Sequence, residues 1–337
     1  MNKRIFYLDL LRSFAIIMVV LLHSISPYLS EPTLFGGTSW YVNLILNAFT
    51  RTGVPLFFMI SGALILSSSR TENFAQFYKK RLLHIIIPLV FWNIAYFSFK
   101  CIAGRAEFDL GALISGFLDS GTEYHLWYLY TLIGIYLLAP FLKILVNNCS
   151  SKQLVLLLFL MLFCTSIRPF INTVTPLYIY FFEPLFNGYI ACFLMGYILS
   201  KIEYSKKVMW AFISLGVVGL TLSVVLNHIH SSSGGIDLVM NFGYSICHYA
   251  MAAALFVIAK LLFAEKALFE KAVSSLSGSS FGIYLIHVAV IDIITNFFMI
   301  DASPLASSAY IFVITLAVSW PISYLLGKIK YIKNLVS

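Results

Sequence analysis

Charge is what this sequence has least of. Only 11% of its 337 residues are Asp, Glu, Lys or Arg, while 60% are hydrophobic; a soluble domain carries about 25% charged residues. That shortage excludes an ordinary soluble fold and points to an all-α integral membrane protein. Cysteine is also scarce: Cys101, Cys149, Cys164, Cys192 and Cys247 are scattered, mostly within apolar runs. No pair has the spacing of a zinc site or a disulfide framework, so they read as small buried hydrophobes and no metal is expected. The net charge of +8 does not point to nucleic acid, because the Lys and Arg residues fall in short loops between apolar runs and not on one basic face. A cleaved signal peptide is disfavoured too: the run after Lys3 and Arg4 is broken by Asp9 and Arg12 and has no clear small-residue cleavage site.

What is present is a series of apolar runs. Taking about 20 apolar residues as one crossing, ten spans are predicted, at 6–29, 41–67, 82–103, 126–146, 152–170, 178–200, 208–226, 241–263, 277–298 and 307–327. Residues 1–337 then form a single transmembrane domain with no soluble domain appended. Of the 22 Lys and Arg residues, Arg12 and Arg51 lie inside spans, Lys100, Arg105 and Arg168 fall on one side, and the remaining seventeen fall on the side of the N-terminus. That asymmetry places both termini in the cytoplasm of a multi-pass protein of the inner (plasma) membrane.

The first run, Tyr7 to Ser24, spans a bilayer yet carries Asp9, Arg12 and His23. Each ionisable group in hydrocarbon costs about 2.5–3.5 kcal/mol on insertion scales, so such residues line something functional. Arg12 and His23 are eleven residues apart. That is about 1100° of rotation, within roughly 20° of one face, and about 16 Å along the axis. Asp9, three residues before Arg12, can hold the guanidinium. The second run has Arg51 at mid-span, then Gly53 and Pro55, a break tolerated only where protein or a cavity satisfies the freed backbone. Ser61-Gly62 beyond it reads equally as helix packing or as part of a site. Lys80, Arg81 and His84, at the start of the third run, combine cations with a helix N-terminus and read as a phosphate site or as a topology signal. On the other side, His125 precedes Trp127, an interfacial anchor, and reads as a loop residue or a ligand. His23, Arg51, Glu183, His248 and His287 fall at similar depth in the outer half, on five helices, which predicts a wet central cavity open to the outside.

Two functions compete for such a cavity. A multi-helix transporter would use the same polar groups but usually shows an internal repeat, and none is convincing here. An enzyme needs a base, an anion site and a path between them. A donor with its phosphates at the cytoplasmic mouth and its reactive end at His23 needs an arm of about 16 Å, which acyl-coenzyme A supplies.

The sequence also resembles the membrane-bound acyltransferase-3 family. The likeness rests on Arg12 and His23 in the first helix, Arg51 followed by Val-Pro-Leu-Phe-Phe-Met-Ile-Ser61-Gly62, Arg81 through Pro88, His125-Leu-Trp127, and Ser280-Phe-Gly-Ile-Tyr284-Leu-Ile-His287. It is closest in form to the stand-alone bacterial members of ten helices that O-acetylate or succinylate surface polysaccharides. The resemblance implies His23 as the catalytic group and Arg12 on the donor path. The family often carries two arginines at the start of helix three; His84 stands in the second place here. With the chain ending at Ser337, the acceptor is expected to be modified directly or through a separate protein.

The sequence therefore predicts an O-acyltransferase. Acyl-coenzyme A, acetyl in the first place, is the donor, and a carbohydrate or lipid-linked glycan is the acceptor. His23 is the general base, Arg51 the oxyanion donor and His287 the alternative to Arg51. Asp9, Arg12, Ser61, Lys80, Arg81, His84, His125, Trp127, Glu183 and His248 are assigned to donor or acceptor binding. The acyl group, the acceptor hydroxyl and the oligomeric state are not legible. Reporter fusions after residues 75 and 115 are expected to give opposite signals; the same signal from both would refute the topology.

Overall fold

A chain crossing hydrocarbon has no water for its backbone, so each apolar run should be helical throughout. The computed structural model describes residues 5–119, 121–176, 187–232, 235–240, 245–264, 269–298, 300–330 and 332–336, and among these there is no strand. Its helices are α1 (Phe6–Leu29), α2 (Thr38–Thr50), α3 (Gly53–Ile65), α4 (Phe74–Arg81), α5 (Leu83–Ile102), α6 (Leu110–Asp119), α7 (Trp127–Asn148), α8 (Ser151–Leu162), α9 (Arg168–Val174), α10 (Gly188–Lys201), α11 (Lys206–His230), α12 (Ile246–Phe263), α13 (Glu270–Phe297) and α14 (Pro304–Leu326). Taken together with short breaks, these make 9 helices among the described residues long and apolar enough to cross a membrane. The sixth predicted span, 178–200, begins outside the described residues, and its described part is the apolar α10. The start of the eighth, 241–244, also lies outside them.

The breaks have local causes. Pro55 has no N–H for the Arg51 carbonyl, so the ladder stops between α2 and α3; Arg51 N–H still bonds Asn47 O at 3.1 Å and Leu56 N–H resumes on Thr52 O at 3.1 Å. Between α4 and α5 the ladder skips two residues: Leu82 N–H bonds Tyr78 O and Ile86 N–H bonds Leu82 O. The third crossing accordingly starts at Phe74, two turns before the predicted position, and Arg81 ends α4 where a helix start was expected. Asn73, whose side chain accepts from Gln76 N–H at 3.0 Å, caps that earlier start. A π turn, Phe163–Ile167, joins α8 to α9 just before Pro169, whose missing N–H leaves the Thr165 carbonyl without its usual partner. Arg168, counted from sequence with the outer loops, is instead inside this crossing and 6% exposed, with Nε donating to Cys164 O at 3.3 Å.

Packing centres on α1, which touches α2, α3, α12, α13 and α14. The α2–α3 break docks on it. Thr52 Oγ1 meets Met18 Sδ at 3.4 Å, and a Cβ on Gly53 would come within 2.9 Å of Ala15 O. Helices α3 and α10 approach closest, backbone on backbone. A Cβ on Gly62 would collide with the Phe193 carbonyl, and one on Gly196 with the Met59 carbonyl. Gly62 is thus a packing residue, as small residues are in membrane helices. The rim helices α11 and α14 expose Val217, Val218, Val313 and Leu325. A polar staple holds the segment before α7 onto α5. Thr122 N–H donates to Asn93 Oδ1 at 2.7 Å, Thr122 Oγ1 donates to Asn93 O at 2.8 Å, and Lys100 Nζ reaches Thr122 O at 2.6 Å and Glu123 Oε2 at 3.0 Å.

Replacing Gly62 or Gly196 by Ala is expected to destabilise the detergent-solubilised protein by about 1–3 kcal/mol through overpacking. Gly134, where an added methyl would meet nothing within 4 Å, is the control: its Ala variant should melt no lower than the parent. Thermal unfolding of the three variants measures this.

Candidate functional site

Two polar centres lie along α1. The first is at the end of the bundle rich in Lys and Arg. A cavity of about 630 Å³ is lined there by Ser68, Arg70, Gln76, Lys80, Arg81 and His84, among others. A second, of about 520 Å³, is lined by Asp9, Arg12, Ser67, Ser68, Lys201 and Ser277, among others. The two share Leu64 and Ser68 in their walls. The loop after α3 that forms this partition is anchored by Lys143, whose Nζ donates to Leu66 O at 3.0 Å and lies 3.8 Å from Glu72. Asp9 sits 3.8 Å from Arg12 and accepts from Ser277 Oγ at 2.8 Å, which ties the guanidinium to α13. Because the ladder skips Leu83 and His84, their N–H groups are not used by the helix, and His84 also lines the larger cavity.

The second centre is deeper. His23, half-buried, has its ring centre 5.2 Å from that of His287 and 5.1 Å from that of Tyr124. His287 lies 5.2 Å in turn from His125. His125 is 1% exposed and His287 fully buried, so His125 belongs to the centre and not to a solvated loop. Arg51 is within electrostatic range of His23 and of Tyr189. Its Nε donates to Asn47 Oδ1 at 3.1 Å, and Asn43, one turn further, is also buried. Trp127 lies 5.3 Å from Tyr189 with the rings tilted by 34°, and Tyr189 packs 4.7 Å from Phe58. Rings also join the two centres: Tyr128, in electrostatic range of Arg12, lies 5.2 Å from Tyr284, itself 5.9 Å from His287.

The structure thus gathers His23, Arg51, His125, Trp127 and His287 in one region, and Asp9, Arg12, Lys80, Arg81 and His84 in the other. His248, at the start of α12, has Nδ1 2.7 Å from Ser245 Oγ. Ser61 is a half-buried residue on α3, and Glu183 lies outside the described residues. Sequence reasoning missed Tyr96 and Tyr284. The Tyr96 hydroxyl donates to Leu285 O at 2.7 Å and accepts from Ala289 N–H at 3.3 Å, and the Tyr284 hydroxyl donates to the His125 carbonyl. The signal for Tyr284 was its position one turn before His287; Tyr96 had only Asn93, one turn back, as a polar companion. Among the described residues no group of three or more His, Cys, Asp or Glu side chains is arranged to hold a metal ion.

A family model described as an acyltransferase domain matches residues 5–324. An amino-acid racemase of Enterococcus faecalis is 33% identical over 138 residues, 38% of this chain but 18% of that protein, so the match spans under a fifth of that relative's length. No solved structure matches. Since the family model runs from before Asp9 to beyond His287, taking in both polar centres, the chain belongs to the membrane acyltransferase-3 family of acyltransferases.

Proposed function

We propose that this chain moves an acyl group, acetyl in the first place, from cytoplasmic acyl-coenzyme A to a hydroxyl of a cell-surface or envelope carbohydrate, in the plasma membrane. The observation that carries the reading is the pairing along α1 of a cationic double cavity with an imidazole cluster about 16 Å deeper. Lys80, Arg81, His84 and Arg70 face the larger cavity, where their charges and the unused N–H groups of Leu83 and His84 suit the donor's phosphates. Arg12 and Asp9 stand where the donor's arm would turn inward, and the arm would follow the rings of Tyr128 and Tyr284 to His23.

At His23 the acceptor oxygen attacks the thioester carbon and the carbon–sulfur bond breaks. His23 takes the hydroxyl proton in the transition state and returns it to the departing thiolate, leaving free coenzyme A thiol. A positioned imidazole contributes about 10²–10⁴-fold. Negative charge grows on the thioester oxygen, and Arg51, held by Asn47 in range of His23, is the cation fitted to meet it. Direct transfer is the simpler course, because no cysteine or serine makes a hydrogen bond to His23 among the described residues.

Purified protein is expected to transfer label from acetyl-coenzyme A, or from succinyl-coenzyme A if the acyl specificity differs. Consumption of neither thioester would overturn the reading. Arg81→Ala should raise the donor dissociation constant about tenfold or more, the worth of a charge-assisted contact; an unchanged constant would return the basic run to a topology signal. His23→Ala should bind donor normally and turn over about 10²–10⁴-fold more slowly. Near-normal turnover would remove His23 from the chemistry.

A further inference from the structure

His287 is hydrogen-bonded to backbone carbonyls of its own helix, Tyr284 foremost, and that contact fixes its tautomer. Its Nδ1 lies 2.6 Å from the Tyr284 carbonyl oxygen. A carbonyl only accepts, so Nδ1 carries the proton and, in the neutral ring, Nε2 is a bare lone pair. That Nε2 is buried and has no partner among the described residues. A buried acceptor left unpaired costs about 1–3 kcal/mol, so its position calls for a donor. The Tyr284 carbonyl is held in register: its own ring packs 5.3 Å from His125 and its hydroxyl is tied to the His125 carbonyl. Tyr96 pins the next carbonyl, that of Leu285.

One neighbour able to donate is His23, whose ring centre is 5.2 Å away at an interplanar angle of 36°. An imidazole nitrogen lies about 1.1 Å from its ring centre, so rings at that spacing leave room for nitrogens about 3 Å apart; the bond itself is not made in this structure, where His287 Nε2 has no partner among the described residues. His125, also 5.2 Å from His287 and T-shaped to it at 79°, has both ring nitrogens buried without a partner among the described residues and is the competing donor. The Leu285 carbonyl near His125 already receives Tyr96.

We propose that His287 is the positioning partner of His23: its bare Nε2 accepts the N–H of the His23 ring, which leaves the other His23 nitrogen free to take the acceptor's proton. This rests on the reading of His23 as the base. The chain of polarity starts at a backbone carbonyl and runs through Nδ1–H and Nε2 of His287 to His23, the same logic by which an orienting group fixes the tautomer of a catalytic histidine. When His23 takes the acceptor's proton it becomes imidazolium, its inner N–H bond to His287 strengthens, and the proton leaves again to the thiolate, so His287 gains and loses nothing. A nitrogen that accepts cannot also donate to an oxyanion, which leaves that role to Arg51.

Two variants of the full chain decide this. His287→Leu removes the acceptor, while His287→Gln keeps an oxygen able to accept. Label transfer from acetyl-coenzyme A is followed in membranes of cells that make each variant, donor binding is measured on purified protein, and folding is checked by thermal unfolding. His287→Leu is expected to lower turnover about 100-fold or more with the donor dissociation constant unchanged, and His287→Gln to recover at least tenfold of that loss. Equal loss in both, or loss of donor binding in both, overturns the proposal. Normal transfer by His287→Leu beside an inactive His23→Ala overturns it alone, whereas normal transfer by His23→Ala overturns the base reading as well. Nitrogen-15 spectra of the histidine-labelled full chain in micelles should show His287 protonated at Nδ1 and bare at Nε2; the opposite tautomer overturns it.

Discussion

A guanidinium and an imidazole on a helix that crosses lipid must be kept from hydrocarbon, and the arrangement of the other helices follows from that requirement. At about 2.5–3.5 kcal/mol for each exposed ionisable group, α1 cannot sit on the rim. It is surrounded by α2, α3, α12, α13 and α14, and 61% of its most apolar window is buried, against 22% for α14 and 17% for α11. Its polar residues bond as they pack: Ser13 Oγ reaches Val273 O at 3.0 Å and Asp9 accepts from Ser277, so α13 is held to α1 by the groups that lipid would reject. The rim helices supply apolar bulk to the bilayer instead.

Two of the three backbone breaks occur beside these same polar centres. The stop between α2 and α3 sets Arg51 within electrostatic range of His23, with Gly53 close enough to the Ala15 carbonyl for the break to nest on α1. The skip between α4 and α5 falls beside Arg81 and His84, which line the larger cationic cavity. Irregular backbone inside a membrane has to be covered by protein or line a cavity, and each break here does one or the other.

Rigidity around the imidazoles comes from hydrogen bonds between helices far apart in sequence. Asn93 and Thr122 hold the segment that carries His125; Tyr96 and Tyr284 link α5 and α13 to one another and to that segment. Buried networks of this kind specify one arrangement, because each member left unpaired in a low-dielectric interior is costly. A transfer site needs its groups held within a fraction of an ångström, and these bonds supply that order before any substrate arrives.

The all-helical membrane architecture, the single face of α1 that bears Arg12 and His23, and the break after Arg51 are all legible in the residues alone. Those features depend on run length, helical periodicity and a proline's missing N–H, which are local properties. Which polar residues meet is settled by packing. Packing puts His125, which reads equally as a loop residue, against His287 through a staple spanning 29 residues of chain. It moves Arg81 from a helix start to a helix end, and it draws Arg168 into the bundle at a π turn. It also brings His287, whose tautomer is set locally by the Tyr284 carbonyl three residues back, beside His23 from α1. Burial and hydrogen-bond partners of this kind are set by side chains distant in sequence, so no window along the chain contains them.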